Sequence, residues 1–288
     1  MSKAEILIVG GTGKIGSELI SLMTDEGTSL RVLVRQESIG KLHKNENLEV
    51  VYGDLSELNK LEIALSDIKQ VFLLTRDQVH QGELESNLIE QAKTAGVEKI
   101  VKSSAFAAGL EPPVGYGITH AKSEKVLMAS GLEWAILRPY MFMQNLLELS
   151  ALIKSPGLMP LPLGKAGIGL IDARDVALVA KTVLSEKTHQ NKIYELTGPH
   201  VLNMADCANI ISEILGRSVR YRSPPYWFAG LIMRLQGASA WDIGMRKQLF
   251  KMIREGGEAK VTADFEEITG QKPRSIEDFI RDHRMVFQ

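Results

Sequence analysis

Between residues 5 and 137 of this 288-residue chain the apolar positions fall in short unbroken runs rich in Val, Ile and Leu. Longer stretches with apolar residues at helical spacing separate them. An unbroken run suits a strand buried on both faces, whereas a half-exposed strand alternates. The pattern predicts strands at 5–9, 30–34, 48–52, 70–74, 99–102 and 133–137, and helices at 13–25, 56–66, 81–95 and 116–130. Repeated βαβ units make a parallel sheet, so the expected class is α/β with a Rossmann-like, doubly wound sheet.

Beyond Pro139 the texture changes. Pro and Gly cluster in Pro156-Gly157-Leu158-Met159-Pro160-Leu161-Pro162-Leu163-Gly164, a composition that predicts no regular element. A helix at 172–184 and a strand at 193–196 resume the earlier pattern, and mostly amphipathic helices follow at 203–215, 224–236, 240–255 and 275–287. The expected organisation is a Rossmann domain over 1–150, with 172–197 returning to it, and a smaller, mostly helical domain from 151–171 and 198–288.

Charge and cysteine content narrow the field of partners. The 34 Lys and Arg are balanced by 35 Asp and Glu, a formal net charge of −1 with no long basic run. Neither nucleic acid nor an anionic membrane is expected. Cys207 is the only cysteine and has no Cys or His companions at ligand spacing, so no disulfide framework and no metal site are expected. No apolar run reaches membrane-spanning length, and Met1-Ser2-Lys3 leads straight into a strand-like run, so the expectation is an unprocessed cytoplasmic chain.

The strand Glu5-Ile6-Leu7-Ile8-Val9 runs into Gly10-Gly11-Thr12-Gly13-Lys14-Ile15-Gly16 and then a helix. Glycines allow a tight turn and close approach of the backbone to a pyrophosphate, which then sits on the unsatisfied N–H groups and positive end of the helix. Two registers fit, Gly11-x-Gly13-x-x-Gly16 and Gly10-x-x-Gly13-x-x-Gly16. A Walker A loop does not fit, because Ile15 stands where Ser or Thr is required. The candidate contacts are Gly10, Thr12, Gly13, Lys14, Ile15 and Gly16.

The second strand ends in Leu33-Val34-Arg35, where a site preferring NAD(H) places an acidic residue against the ribose. A guanidinium can pair with a 2′-phosphate, so Arg35 points to NADP(H), while Glu37 leaves room for NAD(H). After the third strand, Asp54 can accept from the adenine amino group and the Leu55 N–H can cap the ring edge. Thr75 and Ser103, after the fourth and on the fifth strand, complete the expected cofactor set together with His120.

On these residues the chain resembles the NmrA-like atypical short-chain dehydrogenases, a group of NAD(P)H-dependent quinone, azo-dye and triphenylmethane-dye reductases that also includes catalytically silent NADP(H) sensors. The resemblance covers nearly the whole chain. Besides the glycine turn it rests on Val34-Arg35, Gly53-Asp54, Ala95-Gly96-Val97-Glu98-Lys99-Ile100-Val101, Leu137-Arg138-Pro139, Phe142-Met143-Gln144-Asn145-Leu146 and Ile171-Asp172-Ala173-Arg174-Asp175-Val176-Ala177. It implies a Rossmann-like domain, a smaller C-terminal domain and a pocket between them.

Relatives with full short-chain dehydrogenase chemistry carry a Ser after the fifth strand and a Tyr-x-x-x-Lys on the next helix, the Lys holding the nicotinamide ribose and making the Tyr a better acid. Here Ser104 follows the strand and Tyr116-Gly117-Ile118-Thr119-His120 opens the helix, with His120 in the lysine position. The resemblance thus marks Tyr116, His120 and Ser104 as the catalytic candidates. Spacings of four and eight predict Tyr116, His120 and Glu124 on one helical face.

A hydride acceptor that is already electron-poor needs no dedicated acid. Phe106, Tyr140, Phe142 and Met143 offer an apolar wall, and Asn145 a polar point, suited to a planar acceptor. The leading expectation is an NADPH-dependent oxidoreductase that passes a hydride to a quinone-like or other electron-poor aromatic small molecule. The alternative is a non-enzymatic NADP(H) sensor acting on a protein partner, and a sugar-nucleotide epimerase is disfavoured by His120. Nothing in the sequence fixes the oligomeric state.

Overall fold

The protein is described by a computed structural model covering residues 3–42 and 45–288, so Met1 and Ser2, read above as the start of an unprocessed chain, lie outside the described residues. The strands are β1 (Ile6–Val9), β2 (Leu30–Val34), β3 (Leu48–Tyr52), β4 (Gln70–Leu73), β5 (Lys99–Ser103), β6 (Glu133–Pro139), β7 (Leu158–Pro160), β8 (Lys192–Leu196) and β9 (Arg220–Arg222). Seven form one sheet in the order β3-β2-β1-β4-β5-β6-β8. β1 pairs in parallel with β2 and with β4, and β3, β5 and β6 extend the parallel ladder outward. The chain is Rossmann-like, with its switch point between β1 and β4.

The chain divides into two compact units. The first is Met1–Gly109, Gly117–Arg138 and Val176–Tyr194. It holds α1 (Lys14–Thr24), α2 (Leu58–Leu65), α3 (Gln81–Thr94), α4 (Gly117–Ala129) and most of α6 (Ala173–Ser185), with α5 (Ser150–Lys154) in the other unit. All five residues of β2 are buried, its four apolar residues and Arg31 alike. Leu7, Val71, Leu73, Leu88, Ile89, Ala92, Ile100 and Leu127 form one core cluster, which fixes strands and helices as a single rigid layer under the site.

The second unit is Leu110–Tyr116, Pro139–Asp175 and Glu195–Gln288. Its helices include α7 (Met204–Leu215), α8 (Tyr226–Leu235), α9 (Ala240–Arg254), α10 (Asp264–Thr269), α11 (Ile276–Asp282) and α12 (Arg284–Phe287). Asn203 and Asp206 form a capping box on α7, as Ser275 and Asp278 do on α11. Within Ile171-Asp172-Ala173-Arg174-Asp175, the wholly buried Asp172 accepts from Gln144 Nε2 at 2.7 Å and from the Arg174 N–H at 2.9 Å. That motif serves the packing of this unit.

Two expectations need correction. The Pro-rich stretch contains a strand, since Leu158–Pro160 pairs in parallel with β9. A two-stranded ribbon tolerates proline at the end of an edge strand, where no ladder N–H is needed. The helix expected at 275–287 breaks at His283, whose ring Nδ1 approaches the Phe279 carbonyl at 2.9 Å in competition with the helical ladder.

Candidate cofactor and active site

A parallel sheet brings the C-terminal ends of its strands to one edge, and ligands of such sheets bind there beside the switch point. In the first unit that edge carries Gly10 after β1, Arg35 after β2, Asp54 after β3, Thr75 after β4 and Ser103, Ser104 and Phe106 at and after β5. Gly10 has φ +81°, and a Cβ there would stand 2.3 Å from the Leu74 carbonyl oxygen. A Cβ on Gly16 would stand 2.3 Å from the Gly10 carbonyl oxygen. Both positions therefore require glycine, the first for its backbone conformation and both for the closeness of main chain to main chain. Helix α1 begins with Gly13 as its cap and no side-chain hydrogen bond. A helix N-terminus without a side-chain cap is the arrangement that suits a pyrophosphate.

The other cofactor candidates divide by exposure. Thr12 is half-buried, Gly13 and Lys14 are exposed, and Ile15 is buried, so Ile15 has its backbone N–H to offer and not its side chain. The Arg35 side chain is 55% exposed, with Glu37 Oε1 at 3.4 Å from Nε. Asp54 Oδ1 accepts from the Ser56 N–H at 3.0 Å and its hydroxyl at 2.9 Å, which makes it a turn-forming residue ahead of α2, and Leu55 is buried. Ser103 is enclosed with an unpartnered Oγ.

Behind that edge lies a polar cluster not anticipated above. Lys102 on β5 and Glu85 on α3 are both wholly buried, and Nζ lies 2.5 Å from Oε2. Ser123 donates to the same Glu85 oxygen at 2.5 Å, while Thr75 donates to the other at 2.5 Å. Burial disfavours the Glu85 carboxylate, but the Lys102 charge, the charge that His120 carries when protonated, and the hydrogen bonds from Lys102 and Ser123 outweigh it and hold its pKa well below the usual range. His120, itself buried, has Nδ1 3.2 Å from Lys102 Nζ, and Asp77 Oδ1 lies 3.4 Å from Nε2. A cation thus survives beside the position where relatives place a helical lysine, supplied from the neighbouring strand. Its signal in the sequence was a lysine inside a strand buried on both faces, which has to be paired.

The three catalytic candidates do not share one environment. His120 and Glu124 are both buried on α4, but Glu124 accepts from Ser104 Oγ at 2.5 Å and from Arg138 at 3.1 and 2.5 Å, forming a second buried cluster. The Ser104 proton is committed to that carboxylate, so Ser104 has acceptor capacity but no free donor for a substrate carbonyl. Tyr116 stands in the turn before α4 and belongs to the second unit. There its ring packs edge-on to Trp241, centroids 5.6 Å apart, and its hydroxyl lies 3.5 Å from the Asp242 carbonyl. The one-face arrangement of Tyr116, His120 and Glu124 is therefore not formed, because the helix starts one residue after the tyrosine.

The apolar candidates also separate. Phe106 is half-buried in the first unit. In the second unit Tyr140 and Met143 are core residues, 2% and 1% exposed, while Phe142 and Asn145 are half-buried. Tyr140 donates to Glu195 Oε2 at 3.3 Å, and burial, reinforced by that carboxylate, pushes its phenol pKa far up. Among the described residues no group of three or more His, Cys, Asp or Glu could hold a metal, and no helix is long and apolar enough to cross a membrane.

The model of the NmrA-like family matches residues 2–281. The chain belongs to that family. Among curated proteins this NmrA-like chain is 32% identical to an NAD(P)H azoreductase of Xenophilus azovorans over 282 residues, 98% of this chain and 99% of the relative. Among solved structures it is similar to the Escherichia coli NADPH-dependent quinone oxidoreductase complexed with NADPH, with TM-score 0.83, 22% identity and coverage of 96% and 99% of the two chains. The Citrobacter triphenylmethane reductase complexed with NADP(H) gives TM-score 0.83, 21% identity and the same coverages. These two likenesses show the fold.

Proposed function

We propose that this NmrA-like chain is an NADPH-dependent oxidoreductase that transfers a hydride to a quinone-like or other electron-poor aromatic acceptor. The observation that carries the reading is the glycine cradle: backbone packed against backbone at Gly10 and Gly16, ahead of an uncapped helix N-terminus. The residues fit a dinucleotide, with Gly10, Thr12, Gly13, Lys14, Ile15 and Gly16 around the pyrophosphate, Arg35 toward a 2′-phosphate, Asp54 and Leu55 at the adenine, and Thr75, Ser103 and His120 toward the nicotinamide ribose. When bound, the cofactor supplies the hydride. The similarity to reductases named for azo compounds, quinones and triphenylmethane dyes supports an acceptor that is planar and electron-poor. In the first unit, Phe106 is the half-buried aromatic side chain offered to such an acceptor.

The donor inventory supports the same chemistry. The Ser104 hydroxyl is engaged by Glu124 and Tyr116 lies against α9, so neither is set up as a general acid. A neutral acceptor that becomes a stabilised anion after hydride addition takes its proton from water, and a cationic dye that becomes a neutral leuco form needs none. The test is nicotinamide absorbance with purified protein, NADPH and a panel of quinones, azo dyes and cationic dyes. Acceptor-dependent loss of NADPH is expected. Tight NADPH binding without turnover on any of them would overturn the enzymatic reading and leave that of a cofactor sensor.

A further inference from the structure

His120 Nδ1 faces Lys102 Nζ at 3.2 Å, while Gln81 Nε2 is nearly equidistant from the two ring nitrogens, at 3.3 and 3.2 Å, and does not distinguish them. The orientation of the Gln81 amide is set from two sides. Thr119 donates to its oxygen at 2.8 Å, and its nitrogen lies 3.3 Å from Glu85 Oε1, so the nitrogen end is turned toward the ring. An ammonium carries three N–H donors and no acceptor. Nδ1 must therefore accept from Lys102, which leaves the ring proton on Nε2, where the Asp77 carboxylate stands at 3.4 Å to receive it. A doubly protonated ring would set an N–H against the Lys102 ammonium inside a buried cluster.

We propose that Lys102 is a positioning residue: clamped by Glu85, its ammonium fixes His120 as the neutral imidazole protonated at Nε2, so that the ring presents one hydrogen-bond donor and no charge to the cofactor ribose. The role toward the ribose rests on the cofactor reading given above, whereas the tautomer is a property of the unliganded chain. Glu85 is what makes the clamp rigid. Its two oxygens accept from Lys102, Ser123, Thr75 and Gln81, drawn from β5, α4, the end of β4 and α3, so the ammonium cannot leave without stranding a wholly buried carboxylate. The charge that relatives carry on a helical lysine is present here on the strand, cancelled by Glu85. It acts on the ligand only by fixing which ring nitrogen carries the proton.

The experiment is nitrogen-15 labelling of histidine and long-range proton–nitrogen correlation on the full, unliganded chain near neutral pH, with His120 assigned by loss of its signals in His120→Gln. Nδ1 is expected to resonate as an unprotonated ring nitrogen and Nε2 as a protonated one. Lys102→Met combined with Glu85→Gln removes both buried charges together, and it should shift the two nitrogens toward averaged, mixed-tautomer values. NADPH affinity should fall by about two- to tenfold, the worth of one neutral hydrogen bond. Gln81→Met, which leaves Lys102 in place, should keep the parent pattern. A parent ring protonated at Nδ1 or at both nitrogens overturns the proposal, as does a double variant that keeps the parent pattern. If the double variant does not fold, loss of the pattern in Gln81→Met overturns it by moving the role to the amide. An intact tautomer pattern in a chain that does not bind NADPH would instead refute the cofactor reading alone.

Discussion

The backbone N–H of Met141 donates to Oε2 of Glu258 at 3.2 Å, and Glu258 is 4% exposed. Burial pushes this carboxyl up from 4.5 to about 7, and the single N–H only partly opposes the shift. The native state therefore holds a proton that the unfolded chain releases once pH exceeds the ordinary value. The stability this contributes is complete below 4.5 and is lost as pH rises through about 7. At about 1.4 kcal/mol per pKa unit the loss is on the order of 3 kcal/mol. Glu258→Gln should remove the slope and be the more stable protein at alkaline pH. Urea denaturation across that range checks it, and a parent with no loss of stability there contradicts it.

The Lys102–Glu85 pair gives the opposite sign. Its carboxyl is held down from 4.5 to about 2, so the stability it contributes is present above 4.5 and is lost as pH falls through the lower value. Glu85→Gln leaves a buried ammonium without its counter-charge and should cost about 3–5 kcal/mol, whereas the double change to Lys102→Met and Glu85→Gln should recover much of that. A thermal or urea double-mutant cycle with additive single effects would show the pair to be uncoupled.

Gly16→Ala should abolish cofactor binding and lower stability by about 1–3 kcal/mol, because its Cβ would meet the Gly10 carbonyl and the Gly11 Cα at 2.3 and 2.8 Å. Gly13→Ala is the control. Its Cβ would meet only the Gly10 oxygen, at 3.3 Å, so the fold should hold and binding should be weakened only moderately. Melting midpoints and NADPH fluorescence titrations separate the two outcomes, and equal behaviour of the two variants would remove the steric argument.

The sheet was legible because its strands are runs rich in Val, Leu and Ile, and Leu30–Val34, buried throughout, and the edge strand Leu48–Tyr52, only partly buried, both fall where those runs lie. The Leu158–Pro160 strand was hidden by the prolines around it, since composition cannot report a partner about sixty residues further on. Glycine spacing showed the cradle for a similar reason to the strands: the constraint is local. The Lys102 cluster is not local. Glu85 and Gln81 extend the buried face of α3 one and two turns back from Leu88, Ile89 and Ala92, so a polar continuation of an apolar stripe was readable. That Lys102 on β5 closes it depends on how the helix packs over the sheet. The Tyr116 spacing misled because it assumed a helix starting at Tyr116, whereas α4 starts at Gly117 and Tyr116 belongs to the second unit.

Arg35 lies exposed at the end of β2, and its recorded ion pair is the loose, solvent-facing one with Glu37. A hydrogen bond from such a group to a 2′-phosphate is worth about 1.5–3 kcal/mol. Arg35→Ala should therefore reduce the preference for NADPH over NADH by about tenfold to a hundredfold, mostly by weakening NADPH. Calorimetry with both cofactors checks it, and an unchanged ratio would remove Arg35 from the specificity site.

Tyr116 decides between two sources of the proton. A tyrosine acting as general acid has to sit under the influence of a cation that makes it more acidic, and its loss typically costs about 10²–10⁴-fold in rate. The cation in this chain is Lys102, fully buried and engaged by Glu85, while Tyr116 packs on Trp241 with its hydroxyl at the Asp242 carbonyl. Tyr116→Phe keeps the ring packing and removes the long hydrogen bond to the Asp242 carbonyl. It should leave kcat within about threefold of the parent and stability within about 1 kcal/mol, the ordinary worth of such a bond. His120→Ala should act differently, raising KM for NADPH with a smaller effect on kcat, because the ribose contact proposed for it would be equally present in the ground state and the transition state. Steady-state kinetics on both variants with a quinone and a cationic dye gives the comparison. A hundredfold fall in kcat for Tyr116→Phe, with NADPH affinity intact, would assign the proton to the tyrosine and require Tyr116 to leave the position it holds against α9.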